Sequence, residues 1–216
     1  ALGTRLGFNS TFYSYDNINK EAKIIQIDIN KKSLGRYFPI RLGICNDIKD
    51  LIEKLLIKVK EEKILPSFDS WVKKFLENKK NYLDKRELDA DLSIAPIQPS
   101  GLFKILRETL PKNSALTLDA GTLCLQATDM FNFSQPKSFF TPLDFGLVGF
   151  SFACGLGVKL AKPNCHVISL MGDGGFGMTL SELSTAVTHK INTVTIVMNN
   201  KCWGAEKAYQ RDFYSE

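Results

Sequence analysis

The 216-residue sequence predicts an α/β fold, in which a doubly wound parallel sheet is preceded by part of a second α/β domain. Three largely apolar runs indicate buried parallel strands, because such strands are hydrophobic along nearly their whole length. Helical patterns separate the runs, and alternation of strand and helix is typical of a parallel sheet. The runs lie at 115–118, 165–171 and 193–198.

Composition divides the chain into three regions. Residues 1–59 contain a predicted strand over 23–29 and a predicted helix over 47–59 with one apolar face, which together make about half of a domain. Residues 60–93 predict a charged helical linker, and we expect it to pack on the surface through three apolar side chains. These are Trp71, Phe75 and Leu76. Residues 94–216 predict the doubly wound domain, truncated at its C-terminal end.

A β-α-β unit brings two polar motifs together. Gly172-Asp173-Gly174 follows the strand over 165–171, and Asn199-Asn200 follows the strand over 193–198. The right-handed connection between parallel strands places their carboxyl ends at one edge of the sheet, where open α/β sheets bind ligands. We therefore expect Asp173 and Asn200 to face one small volume.

The segment between these two strands predicts a loop and then a helix. Residues 172–177 are expected to form the exit loop, and Thr179 with Glu182 forms a capping box that starts the helix. The apolar face of this predicted helix consists of Leu180, Leu183, Ala186 and Val187.

The chemistry of these motifs indicates a site for magnesium and a diphosphate. Mg²⁺ prefers oxygen ligands and shares its shell with water and substrate phosphates, so Asp173 and Asn200 would leave positions for phosphate oxygens. Gly174 and Gly175 have no Cβ, and their backbone N–H groups can approach a diphosphate closely. Either motif alone would be typical of a surface turn, whereas their conjunction with two strands and a helix favours the binding site.

At these residues the chain resembles the thiamine-diphosphate-dependent enzymes, whose signature is Gly-Asp-Gly followed by Asn-Asn. The resemblance implies thiamine diphosphate and Mg²⁺ as cofactors, with Asp173, Asn200 and the backbone carbonyl of Cys202 as metal ligands. It assigns cofactor contacts in this half of the site to Gly172, Asp173, Gly174, Gly175, Asn200 and Cys202.

Two upstream segments extend the resemblance. Residues 144–150 are similar to the segment that holds the aminopyrimidine ring, so the Gly146 carbonyl would accept from its amino group. Val148 would lie beneath the thiazolium as a catalytic residue that forces the bent cofactor conformation. Residues 119–124 match a loop whose Gly121 and Thr122 would contact the diphosphate. Taken alone, Val148 would be typical of a core and Gly121 of a helix-entry turn.

Within the acetolactate synthase group, the chain most resembles the sulfoacetaldehyde acetyltransferases, mainly over 203–214. That resemblance implies conversion of sulfoacetaldehyde and inorganic phosphate, an anionic substrate pair, to acetyl phosphate and sulfite. Lys207 would be a catalytic residue that meets the sulfonate or the phosphate. Arg211 is more typical of a solvated helix face, and Trp203 fits either a pocket wall or a core.

Other functions remain open from sequence. A carboligase or decarboxylase of the acetolactate synthase group would act on pyruvate or another 2-oxo acid and release carbon dioxide. A regulatory module with a degenerate cofactor site is disfavoured, because Asp173, Asn200 and the glycines are all present. Flavin is not expected, since Arg5 and Asp28 alone are weak indications of a nucleotide site.

Composition excludes further classes. The net charge of +5 comes without a basic cluster interleaved with aromatic residues, so no nucleic-acid partner is expected. The longest uncharged run, 145–158, is too short for a membrane span. Five cysteines with no Cys-x-x-Cys pair predict reduced thiols and a cytoplasmic location.

The resemblance also implies features outside this sequence. The family uses a glutamate from a separate pyrimidine-binding domain, and no residue here matches it. We therefore expect 1–59 to be the end of a central domain, the 216-residue chain to be a piece of a longer one, and the piece alone to be inactive. A homodimer or homotetramer is implied for the full-length enzyme.

Overall fold

A computed structural model describes residues 1–16, 18–63, 67–88, 90–131, 133, 135–142 and 145–214, without the side chains of residues 9, 87 and 88. The chain divides into two units, Ala1–Lys73 and Lys74–Glu216. Asp144 and the last two residues of the predicted truncated domain lie outside the described residues. The boundaries predicted at 59/60 and 93/94 stay predictions.

The first unit contains a two-stranded parallel sheet. Strand β1 pairs with β2 in register from Ile25 opposite Leu42, and the side chain of Asp47 accepts hydrogen bonds from two N–H groups in the first turn of α2. The strand and the helix predicted from sequence are both present. The elements are α1 (Phe8–Thr11), β1 (Ile25–Asp28), a 3₁₀ turn (Lys31–Ser33), β2 (Leu42–Cys45) and α2 (Ile48–Glu61).

The second unit contains a four-stranded, fully parallel sheet in the order β4-β3-β5-β6. The elements after α2 are α3 (Asp69–Leu88), α4 (Pro99–Thr109), β3 (Ser114–Leu118), α5 (Thr122–Met130), β4 (Phe139–Phe140), α6 (Phe150–Ala161), β5 (His166–Gly172), α7 (Asp173–Thr179), α8 (Glu182–Thr188), β6 (Val194–Met198), α9 (Gly204–Tyr209) and a π-helical turn (Gln210–Tyr214). The three long strands confirm the sequence prediction. The edge strand β4 was missed, because two residues are too few to show a pattern.

Helices cover both faces of this sheet, which confirms the doubly wound class. Leu116 and Leu118 of β3 pack with Phe103 of α4 and Ala127 of α5. The residues that alternate with them face the other way, where Ala115 of β3 packs against α6. Successive strand side chains point to opposite faces, so each strand contributes to both layers.

Helix α6 lies unusually close to the sheet. A Cβ on Gly155 would stand 2.1 Å from the Ser169 hydroxyl, so no larger residue fits there. Three buried hydroxyl side chains fill the space beneath the helix: Thr117 donates to Ser169 (2.9 Å), and Ser151 donates to the Thr117 carbonyl (2.8 Å). Because buried polar groups cost free energy unless they are hydrogen-bonded, this network accounts for hydroxyls in an otherwise apolar core.

The contact between the charged linker and α5 is made by polar side chains. Helix α3 forms as expected, but Trp71, Phe75 and Leu76 each remain more than half exposed. A polar cluster fixes the later part of α3 to α5 instead. Tyr82 donates a hydrogen bond to Asp129, and Arg86 pairs with the same carboxylate at 2.6 Å.

The predicted exit loop and capping box are wrong. Residues 173–177 belong to α7 rather than to a loop, and Thr179 is the last residue of that helix. An N-cap residue needs non-helical backbone angles, whereas the backbone at Leu180 and Ser181 stays helical between α7 and α8. The Thr179 hydroxyl is buried and finds no hydrogen-bond partner among the described residues. The apolar side chains of Leu183 and Val187 on α8 are exposed.

Candidate functional site

Three strands end at one edge of the sheet, and their exit segments form the candidate site. In the register of the sheet, Leu118 lies opposite Leu170, and Gly172 lies opposite Met198. The chain therefore leaves β5 and β6 at the same level, and it leaves β3 at the same edge two residues earlier. This confirms the expectation that the two motifs after β5 and β6 come to one edge of the sheet.

The segment after β6 is held by its own asparagine side chains. The Asn199 side-chain oxygen accepts from the Lys201 N–H (2.9 Å), and the Asn200 oxygen accepts from the Cys202 N–H (3.2 Å). An amide oxygen has two lone pairs, so Asn200 keeps one acceptor position for another partner. Its amide nitrogen stands 2.9 Å from where a Cβ on Gly204 would lie, so a larger residue at 204 would displace the Asn200 side chain.

Helix α7 begins at the Gly172-Asp173-Gly174 motif. Asp173 is its first residue and is half-buried, and Gly174 and Gly175 complete the first turn. The first N–H groups of an α-helix have no acceptor within the helix and lie at its positive end, where anions bind favourably. The prediction that these two glycines meet a diphosphate is therefore compatible with a helix in place of the expected loop.

Neighbouring side chains lie close to both glycines, and the contact is much tighter at Gly175. A Cβ on Gly174 would stand 3.3 Å from the ring of Trp203, and a Cβ on Gly175 would stand 1.9 Å from the carboxylate of Asp119. Trp203 is about half exposed, so it lies on the surface of the site rather than in the core.

Asp119 was not singled out by the sequence analysis. It follows β3 directly and is only 3% exposed, and its two carboxylate oxygens accept hydrogen bonds from the N–H groups of Gly149 (3.0 Å) and Ser151 (3.2 Å). Its own N–H donates to the Leu170 carbonyl of β5 (3.2 Å). The available signal was an acidic residue at the end of a buried strand, where a carboxylate needs compensating donors.

Gly121 and Thr122 lie on the β3 side of the same edge. Gly121 has φ +108°, which favours glycine, and it immediately precedes α5. The Thr122 hydroxyl is 3.8 Å from where a Cβ on Gly204 would lie, so α5 begins next to the segment after β6. The structure thus places Thr122 in the neighbourhood of Asn200.

Gly146 and Val148 lie on the short segment that leads into α6. Gly146 is exposed with φ +68°, and its N–H donates to the Pro142 carbonyl (2.7 Å). Val148 is half-buried and lines a cavity of about 790 Å³ whose other walls include Leu147, Phe150, Ala153, Cys154 and Met178. Val148 therefore faces an apolar space and is not part of the closed core.

The candidate substrate-binding cations differ in their surroundings. Arg211 pairs with Asp212 at 2.6 Å, and the hydrogen bond from Arg211 lowers the pKa of the Asp212 carboxyl. Lys207 is exposed on α9, and no carboxylate in the part of the chain that the structure describes pairs with it. This agrees with the expectation that Arg211 belongs to a solvated face.

All five cysteines are free thiols, as expected. Burial raises the pKa of the Cys124 thiol and that of the Cys154 thiol, so both are poor nucleophiles at neutral pH. Across the residues described, no group of three or more His, Cys, Asp or Glu side chains could hold a metal. The predicted magnesium site depends instead on one carboxylate, one amide oxygen and one backbone carbonyl, a set that phosphate oxygens and water would complete.

No helix within the described part of the chain is both long enough and apolar enough to cross a bilayer.

Comparison with known proteins matches the chain to two domains of the enzymes of one family. The model for the C-terminal TPP-binding domain of thiamine pyrophosphate enzymes matches residues 119–216, and that for the central domain of the same enzymes matches residues 1–55. Together these matches extend over well more than half of the chain.

Individual relatives agree with the family models. Sulfoacetaldehyde acetyltransferase of Castellaniella defragrans is 30% identical over all of this chain and 39% of its own length. The enzyme of the same name from Alcaligenes xylosoxydans xylosoxydans is also 30% identical, over 100% of this chain and 40% of its own. A probable acetolactate synthase large subunit of Methanocaldococcus jannaschii is 31% identical over 91% of this chain and 33% of its own. The chain thus spans about two fifths of the length of the acetyltransferases that it matches.

Proposed function

Since this chain belongs to the thiamine pyrophosphate enzymes, we propose that the protein containing it is a sulfoacetaldehyde acetyltransferase. It would convert sulfoacetaldehyde and inorganic phosphate to acetyl phosphate and sulfite. The observation that supports this choice is that two enzymes of that name align over the whole chain at 30% identity.

The edge of the sheet supplies a set of groups that fits a magnesium diphosphate. Asp173 and Asn200 would hold Mg²⁺ with the Cys202 carbonyl, because the Asn200 oxygen retains a free acceptor position and hard oxygen ligands suit this ion. Gly172, Gly174 and Gly175 would approach the diphosphate from the start of α7. Gly121 and Thr122 would contact it from the start of α5.

The segment before α6 would hold the rings of the cofactor. Gly146 would accept from the aminopyrimidine through its carbonyl, and Val148 would support the thiazolium from the apolar cavity that it lines. Thiamine diphosphate supplies, when bound, a nucleophilic carbon that also serves as an electron sink for the substrate. The contribution of this chain is to position that group and to surround it with apolar side chains that exclude water.

Lys207 would bind the sulfonate or the attacking phosphate. A charged donor is the partner that a desolvated anion needs, and Lys207 lies on α9 just beyond the segment that contains Asn200. Arg211, by contrast, already pairs with Asp212. The proposed partners are therefore an anionic small molecule and inorganic phosphate, without nucleic acid or membrane.

The assembly and location proposed for the full-length enzyme are a homodimer or homotetramer in the cytoplasm. Free thiols at all five cysteines support a reducing compartment.

A second candidate is an acetolactate synthase-like carboligase or decarboxylase acting on pyruvate or another 2-oxo acid. The similarity of 31% to a probable acetolactate synthase large subunit favours it to nearly the same degree.

One product assay separates the two candidates. The full-length protein is supplied with thiamine diphosphate, Mg²⁺, phosphate and either sulfoacetaldehyde or pyruvate. The proposed function predicts sulfite and acetyl phosphate in equal amounts from sulfoacetaldehyde. Carbon dioxide from pyruvate without sulfite from sulfoacetaldehyde would support the second candidate instead.

A further inference from the structure

We propose that Asp119 is a positioning residue that fixes the ring-binding half of the cofactor site to its diphosphate-binding half. This inference rests on the proposed function for the identity of the two halves. The ring-binding half is the segment 145–149 with Gly146 and Val148, and the diphosphate-binding half is the start of α7 with Asp173, Gly174 and Gly175.

Asp119 holds the ring-binding half through its backbone. Its carboxylate oxygens accept from the N–H of Gly149 at 3.0 Å and from that of Ser151 at 3.2 Å. These two N–H groups lie at the start of α6, where no acceptor within the helix is available. Asp119 thus caps α6 from the end of β3. Val148 immediately precedes Gly149, so the same hydrogen bond holds the backbone next to Val148.

Asp119 contacts the diphosphate-binding half through the same carboxylate. The oxygen that accepts from Gly149 would stand 1.9 Å from a Cβ on Gly175. The first turn of α7 can therefore lie this close to Asp119 because position 175 is glycine. A single carboxylate thereby sets the separation between Val148 and the first turn of α7.

The sheet makes this position rigid. The Asp119 N–H donates to the Leu170 carbonyl of β5, and the residue before it ends β3. Ser151, whose N–H donates to Asp119, is itself fully buried. A site held within fractions of an ångström needs such supporting contacts on rigid elements.

The test substitutes Asp119→Asn in the full-length protein. An amide keeps the shape of the side chain but turns one acceptor into a donor that faces a backbone N–H, so segment 145–151 should loosen. We expect faster amide hydrogen exchange in that segment without cofactor, with exchange at residues 173–179 unchanged. The Kd for thiamine diphosphate with Mg²⁺ should rise about ten- to hundredfold, as expected for a lost hydrogen bond to a charged group.

Ser151→Ala is the matched control. It removes a buried hydrogen bond from the same helix but leaves both N–H groups on Asp119. We expect a comparable loss of thermal stability with the Kd within about twofold of wild type. Wild-type affinity in Asp119→Asn, or an equal loss of affinity in Ser151→Ala, would overturn the proposal.

A second pair of variants covers the case in which Asp119→Asn does not fold. Gly175→Ala should be strongly destabilised by contact with the carboxylate, and Asp119→Ala in the same chain should relieve that contact. The destabilisations should then be clearly less than additive, as for residues in direct contact. Additive effects would contradict the contact on which the proposal depends.

The outcomes distinguish this proposal from the proposed function. Failure of the wild-type protein to bind thiamine diphosphate would reject the cofactor assignment. The hydrogen-exchange comparison and the double variant would still decide whether Asp119 fixes the two segments together.

Discussion

The two halves of the proposed cofactor site are built differently. The diphosphate-binding half lies at the ends of β5 and β6, where the pairing of Gly172 with Met198 sets its geometry. The ring-binding half lies on the short segment 145–149, whose position depends on hydrogen bonds to Asp119. A site at strand ends is fixed by sheet register, whereas a site on a connecting segment needs a separate side chain to hold it.

Replacing Asp173, the proposed metal ligand, should produce the largest effect. We expect Asp173→Ala in the full-length protein to abolish Mg²⁺-dependent binding of thiamine diphosphate, measured by titration calorimetry, because no second carboxylate is proposed for the metal. Glu206→Gln on the exposed face of α9 serves as the control and should bind normally. Normal binding by Asp173→Ala would show that the diphosphate-binding half does not depend on this carboxylate.

Truncating the ring support should affect turnover more than binding. Val148→Ala leaves the diphosphate contacts in place but enlarges the cavity beside the proposed thiazolium position. We expect kcat to fall about a hundredfold, the magnitude typical of a misplacement near 1 Å, with a small change in cofactor Kd. Leu147→Ala, on the same segment and half exposed, is the control. Equal effects of the two substitutions would show that Val148 has no special role.

Replacing Lys207 should weaken the binding of the anionic substrate. Lys207→Met should raise KM for sulfoacetaldehyde or phosphate about tenfold, the lower range for a lost charged hydrogen bond, while the cofactor Kd stays unchanged. Arg211→Met should change KM little, because Arg211 already pairs with Asp212. Steady-state kinetics on both variants make this comparison, and an unchanged KM in Lys207→Met would reject the role of the lysine.

Disturbing the contact between α6 and the sheet should lower the stability of the fold and should not act on one half of the site in particular. Gly155→Ala places a Cβ 2.1 Å from the Ser169 hydroxyl and should lower the free energy of unfolding by about 1–3 kcal/mol. Gly157→Ala is the control on the same helix. Apart from its chain neighbours and the backbone of its own helix, no described atom lies within 4 Å of its added Cβ, so it should be neutral or stabilising by about 0.5–1 kcal/mol. Denaturant unfolding of both variants tests the difference.

The strands and the strand-end motifs could be predicted from sequence. Buried parallel strands leave long apolar runs, and β3, β5 and β6 lie where those runs do. Once the strands are placed, sheet topology brings Asp173 and Asn200 to one edge without further information. The roles proposed for individual residues at that edge stay predictions.

Features that depend on tertiary contacts could not be predicted. The prediction of a capping box at Thr179 was wrong because the backbone there continues as a helix from α7, which the local sequence pattern does not show. Asp119 was missed because its partners are backbone N–H groups about 30 residues away, which no sequence pattern shows. The linker side chains Trp71 and Phe75 were expected to pack on the surface because they are apolar, and each of them is more than half exposed.

The most direct test is a crystal structure of the full-length protein with thiamine diphosphate and Mg²⁺. We predict a metal bound by Asp173, Asn200 and the Cys202 carbonyl at about 2.0–2.1 Å, with Val148 against the thiazolium ring. A metal bound elsewhere, or a cofactor whose rings lie away from Val148, would contradict the proposed two-part site.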